Sequence, residues 1–148
     1  MKSALHAVVV IFFGLVACHA LASDYAGVVK TTRGAVSVER AGTRLAATPG
    51  ARVHQRDRIV TAGNGYVGIT MSDDTLLTLG PGSDLVLDTY GFDPKTHEGN
   101  FLASLTKGAL SVVTGLIARR SPEAFAVKTR VSTMGVRGTE FIVEAYER

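Results

Sequence analysis

From Tyr25 onward, apolar residues recur in pairs and short alternations separated by glycine, proline, asparagine or aspartate. That spacing is what a domain of many short strands requires. The pattern predicts strands over residues 26–31, 35–39, 58–61, 66–71, 75–79, 85–90, 101–105, 109–114, 125–129 and 140–146. No segment after Tyr25 sustains an i, i+3, i+4 apolar stripe, and Pro122 cuts short the helix-like stretch 116–125. The expected fold is therefore all-β: a single β-sandwich or β-roll-like domain over residues 25–148, preceded by a cleaved N-terminal signal helix over 1–22.

Turn chemistry agrees with that reading. Asn64-Gly65 is a tight-turn dipeptide, and Ser72-Asp73-Asp74-Thr75 lies between two strands as a hairpin turn would, with both aspartates expected to face water. The longest polar interruption, 91–100, contains Gly91, Pro94 and Gly99 and is expected to be an irregular, exposed and mobile loop. The stretch 115–122, with Arg119 and Arg120, is expected to be a second loop, and both are candidate partner contacts. One echo recurs seventy-four residues apart: Thr32-Arg33-Gly34-Ala35-Val36-Ser37-Val38 matches Thr106-Lys107-Gly108-Ala109-Leu110-Ser111-Val112 almost position for position. The two read as comparable strands in two layers, each leaving a tight turn.

The first residues follow a different logic. Lys2 supplies a positive start, residues 4–17 are apolar apart from His6 and Gly14, and Ala20-Leu21-Ala22 has the small-x-small pattern of a signal-peptidase site. Export with cleavage after Ala22 is the leading expectation. Leu15-Val16-Ala17-Cys18 also has the form of a lipobox, in which Cys18 is acylated; the apolar His19-Ala20-Leu21-Ala22 that follows argues against it. An uncleaved anchor helix is a third reading, disfavoured because the run falls short of the ~20 residues a bilayer needs. Cys18 is the only cysteine, so a chain cut after Ala22 has no disulfide, zinc cluster or thiol chemistry.

Composition narrows the function. At 148 residues, 46% hydrophobic and 20% charged, the chain fits one globular domain. The formal charge of +3 falls to +2 once Lys2 is removed, which gives little support for nucleic acid, and membrane contact is expected only with a lipid on Cys18. Catalytic constellations are missing at the level of counting. His54 and His97 are the only imidazoles after the export signal, with no HExxH spacing, and no G-x-S-x-G elbow or phosphate-binding loop occurs. Asp84 and Asp88 share a sheet face if their strand is regular, as a Ca²⁺ or acid/base pair would, or as a polar outer face opposite Leu85 and Leu87. No enzyme, metal or cofactor is expected. The few aromatics, with no tryptophan, weaken sugar stacking.

The densest signal is Thr133-Met134-Gly135-Val136-Arg137-Gly138-Thr139-Glu140-Phe141-Ile142-Val143. Gly135 and Gly138 allow a sharp bend and close backbone approach before Phe141, Val143 and Ala145 alternate with Ile142, Glu144 and Tyr146. Arg137 between them either ties the turn to a neighbouring strand or meets a partner's carboxylate. With Gly135, Val136, Arg137, Gly138, Thr139 and Phe141, this segment resembles the signature that closes the FecR domain, a bacterial periplasmic module. Stretches beginning at Thr32, Arg58, Val67, Gly80, Gly108 and Phe125 resemble its earlier segments in order and spacing. Aspartate stands at position 74 where the family usually has glycine.

In membrane-spanning members of that family, a cytoplasmic region controls an alternative sigma factor and the periplasmic domain receives a signal from an outer-membrane transporter. This chain resembles only the periplasmic domain, so the sigma-factor role is not carried over. The resemblance implies a non-enzymatic interaction or sensory module of the periplasm with an envelope protein as partner. Family members commonly add another strand after the segment matching 141–146, so the last strand here is expected to be an edge, open to a partner or to a second copy. The rival expectation is an envelope glycan binder, lipid-anchored at Cys18. An exposed aromatic pair around Tyr66, Tyr90 or Phe92 would favour it.

Overall fold

The computed structural model describes residues 25–136 and 138–146; the signal segment with Cys18 and Ala22, and Arg137, lie outside the described residues. The chain runs through β1 (Gly27–Arg33), β2 (Val36–Arg40), β3 (Thr43–Ala46), β4 (Arg52–Val53), β5 (Arg58–Thr61), β6 (Tyr66–Met71) and β7 (Leu76–Leu79). It continues through β8 (Asp84–Phe92), β9 (Gly99–Val113), α1 (Leu116–Arg120), a 3-10 turn (Pro122–Ala124), β10 (Phe125–Lys128), β11 (Thr133–Gly135) and β12 (Glu140–Ala145). The fold is all-β, as the alternation requires.

The strands form one curled sheet in the order β3-β2-β5-β8-β9-β7-β6-β1-β4, with β10 and β12 also paired to β9 and β11 to β10. Pairing is antiparallel except between β9 and β10, which are parallel and joined through α1, as a parallel pair must be joined by a crossover. Both halves of the sheet bury their inner residues in one core. There the rings of Phe101 and Phe125, directly opposite on the parallel pair, stack at 4.2 Å, and Tyr90 meets Phe101 edge-on at 6.3 Å.

β9 is the hinge of this architecture. Its first part pairs with β8 and β10, and its last part with β7 and β12. Its buried residues are Phe101, Ala103 and Leu105, then Leu110 and Val112, so the inward face changes from odd to even positions. A register shift opposite Thr106 and a φ of +92° at Gly108 produce that change. A Cβ on Gly108 would stand 2.2 Å from Ser83 Oγ and 2.4 Å from Ser83 Cα. Its counterpart in the echo, Gly34, has φ +62° and a Cβ position 2.1 Å from the Asn64 carbonyl oxygen, where β1 gives way to β2 in the other half of the sheet. The repeated cation-glycine pair therefore marks two of the places where the chain changes half-sheet.

Several expected boundaries shift. The stretches 101–105 and 109–114 are one strand, β9. The expected 91–100 loop shrinks to 93–98, because Gly91 and Phe92 pair with Asn100 and Gly99 across β8 and β9. The expected second loop contains α1, a five-residue helix that ends before Pro122, with Arg119 and Arg120 exposed. The alternation does not predict β3, β4 or β11; β3 is exposed at all four positions, so it carries no alternation to read.

Candidate functional site

The closing segment docks differently from its expected two-glycine bend. Gly135 belongs to β11, paired with Ala126, and lacks a positive φ; only Gly138, at φ 158°, lies where glycine is favoured. A Cβ at either would meet nothing among the described residues, so close approach is not their role. Val136 is buried, while Gly138 and Thr139 are exposed and held by their carbonyls. The Thr114 main-chain N–H donates to the Thr139 oxygen at 2.9 Å and the Thr114 hydroxyl to the Gly138 oxygen at 2.9 Å. Thr114 is buried, and the sequence pattern does not single it out. Its only advance signal is a threonine directly after the last apolar position of β9.

β12 has the predicted alternation. Val143 is buried and Phe141 and Ala145 pack against the core, whereas Glu140, Ile142, Glu144 and Tyr146 are exposed, Ile142 at 69% and Tyr146 at 77%. Thr139 and Thr114 form a hydrogen-bonded pair, so the alternation of an antiparallel ladder gives residues 141, 143 and 145 to β9. Glu140, Ile142 and Glu144 consequently direct their main-chain N–H and C=O groups away from β9. Among the described residues no strand pairs that side. Beside its C-terminal end, a groove opens between the turn at 129–131 and Glu144, Ala145 and Tyr146. The Tyr146 hydroxyl donates to the Glu144 carboxylate, which raises the phenol above its ordinary range.

The turn between β6 and β7 corrects another expectation. Asp74 is exposed, but Asp73 is fully buried. Its carboxylate accepts from the Thr75 hydroxyl at 2.7 Å, the Tyr90 hydroxyl at 3.1 Å, and the Thr75 and Ile117 amides at 3.4 and 3.3 Å. Its carbonyl accepts from the Leu116 amide at 2.8 Å. α1 has no side-chain cap of its own, and Asp73 supplies one from a turn forty-four residues earlier. Asp74 has φ +66°, a conformation that glycine adopts more easily than aspartate.

Tyr90 is the titrating member of this cluster. Burial, and then the Asp73 carboxylate, push its phenol far above the ordinary value. An unfolded tyrosine ionises near pH 10, so above that pH the native state holds the proton that the unfolded state has lost, and stability falls as pH rises. Tyr90→Phe is expected to cost about 1–2 kcal/mol at neutral pH by stranding the Asp73 amide and taking one of four donors from the carboxylate. It should also remove most of the alkaline loss, as denaturant titrations at about pH 8 and about pH 11 would show. A variant with the wild-type alkaline slope would contradict this assignment.

The other candidate groups serve the sheet. Arg58 grips the Asp84 carboxylate through two nitrogens and also binds Glu39 at 3.0 Å, and Glu39 binds Arg44 at 2.7 Å. Asp88 accepts from the Ser104 hydroxyl at 2.6 Å, and register shifts within β8 break the regular strand that would align it with Asp84. Asp57, fully buried, takes two bonds from Arg40 and one from the His54 amide. His97 stacks on Phe92 at 6.3 Å in the β8–β9 turn. No group of three metal-ligating side chains occurs among the described residues. Tyr90 and Phe92 are half-buried, so Tyr66 is exposed without either as a partner platform. It lines a shallow groove with Lys30 and Arg33.

No curated protein and no solved structure matches the chain. A family model described as FecR protein matches residues 57–148. The match opens just before β5, and β1 and β2, which precede it, complete the sheet by pairing with β6 and β5. With more than half its length matched, from the buried Asp57 through the Thr114-held closing segment and β12, the chain belongs to the FecR protein family.

Proposed function

We propose that this chain is an exported, non-catalytic FecR module that recognises an envelope protein by accepting a strand along the open edge of β12. Membership in the family supports a signalling or regulatory role facing the periplasm. The observation that carries the reading is the β12 edge. It presents three residues' outward main-chain groups, and at six residues it is longer than the other open-edged strands, β3, β4 and β11. Main-chain pairing gives such a surface affinity, and the alternate side chains give it specificity.

A photo-crosslinking residue at Ile142, introduced in cells carrying the full chain, is expected to trap one discrete envelope protein. The same residue at Leu45, on the β3 edge, should not trap it. Crosslinks from Ile142 to a second copy alone would replace the partner with self-association. Equal trapping from both positions, or none, would reject the β12 edge. Mass determination of the exported N-terminus distinguishes cleavage after Ala22 from a lipid on Cys18.

A second reading has one observation in its favour. Tyr66, with Lys30 and Arg33 and, among the described residues, no acidic residue beside them in its groove, suits a carboxylated glycan. Retention on isolated cell wall that is lost in Tyr66→Ala would select that reading over the edge.

A further inference from the structure

The β12 edge carries a charge pattern as well as free main-chain groups. Its solvent face reads Glu140, Ile142, Glu144, and on β9 these residues stand opposite Val113, Ser111 and Ala109. None of those three is a cation. No ion pair to either glutamate forms among the described residues: Arg130 lines the groove beside Glu144 without reaching it, and the Glu144 contact is the Tyr146 hydroxyl. Both carboxylates therefore have an uncharged neighbour on the β9 side and an open place on the other. The inner face of the same edge is apolar, with Phe141 and Ala145 only part-covered around the buried Val143.

We infer that the strand accepted by β12 carries two cations four residues apart, with three apolar residues between them. The inference rests on strand addition at this edge. In an antiparallel addition, residues directly opposite share a face of the sheet. Cations then stand against Glu140 and Glu144, and the central apolar residue stands against Ile142. The two remaining apolar residues turn inward beside Phe141, Val143 and Ala145. A second copy of β12 does not meet this need. Centred on Ile142, self-pairing sets Glu140 against Glu144 twice; shifted by two residues, it sets each Glu144 against Ile142. No register of β12 on itself supplies a cation, because the strand contains none.

The test uses the full chain, kept in mild detergent for its apolar N-terminus, with three end-blocked peptides. Each has a three-valine centre and serine ends, and the residues flanking the valines are lysine, glutamine or glutamate. The lysine peptide is expected to slow hydrogen exchange at the Ile142 and Glu144 amides and to bind about tenfold tighter than the glutamine peptide, with the glutamate peptide weakest. The advantage should shrink with salt and vanish in the Glu140→Gln/Glu144→Gln variant, whose fold is checked by unchanged protection at Leu110 and Val112. Equal protection by all three peptides would overturn the charge pattern while leaving strand addition standing. Binding of the lysine peptide without protection of the edge amides would overturn this inference, and no protection by any peptide would overturn strand addition itself.

Discussion

Gly108→Ala is expected to destabilise the domain by roughly 4 kcal/mol, enough to lower its midpoint by roughly 15 °C. Three costs meet at this position. A side chain at φ +92° is strained by about 1–2 kcal/mol whatever space surrounds it. The added methyl also falls 2.4 Å from Ser83 Cα, a main-chain atom that no rotamer change removes, and overpacking of that kind costs about 1–3 kcal/mol. Moving Ser83 then weakens its bonds with Ala109, in which the hydroxyl accepts from the amide at 3.0 Å and donates to the carbonyl at 3.2 Å. Thermal and urea unfolding of Gly108→Ala against the parent measure the effect. A loss under about 1 kcal/mol would show that β9 can bend elsewhere, and that Gly108 does not fix its change of face.

That glycine explains where reading the sequence succeeded and where it stopped. Alternation located most strands within a residue or two, because burial on one face leaves its period in the chain. It split β9 in two because the buried positions pass from odd to even across Thr106, Lys107 and Gly108, and a break in period looks like a turn when read along one dimension. The echo between residues 32–38 and 106–112 was visible, but its meaning was not. Only pairing partners show that both copies sit where the chain passes from one half of the sheet to the other. β3 and β4 left no trace for a different reason: one is exposed throughout and the other has two residues.

The proposed β12 edge was legible in part. Phe141, Val143 and Ala145 turned inward as their spacing required, so the outward Glu140, Ile142 and Glu144 followed. Which of those residues aim their main chain at open space was not legible, since that parity is fixed by the Thr114–Thr139 pair. The glycines misled because their type allows a tight bend without requiring one; Gly135 simply continues β11. Asp73 was misplaced for a non-local reason. Ser-Asp-Asp-Thr has the composition of a wet turn, and Ser72 and Asp74 are exposed, but Asp73 is dry because Tyr90 and α1, seventeen and forty-four residues away, close over it.

Asp73→Ala is expected to cost roughly 4 kcal/mol, because it removes one acceptor group from four buried or half-buried donors at once. The Ile117 amide at the start of α1 loses its side-chain cap, and the Tyr90 hydroxyl loses its carboxylate. Asp73→Asn keeps the shape but replaces one accepting oxygen with a donor that faces other donors, so about 2 kcal/mol is expected. The pattern of loss is more diagnostic than its size. In Asp73→Ala, hydrogen exchange should quicken at Ile117 beyond the global change, because its amide then lacks the carboxylate acceptor while the Leu116 amide keeps the main-chain carbonyl of residue 73. Combined with Tyr90→Phe, the loss should be clearly less than additive, since both substitutions break the same bond. Full additivity in that double-mutant cycle, or uniform loosening across the sheet without excess at α1, would show that Asp73 acts on the β6–β7 turn alone and does not fasten the helix to it.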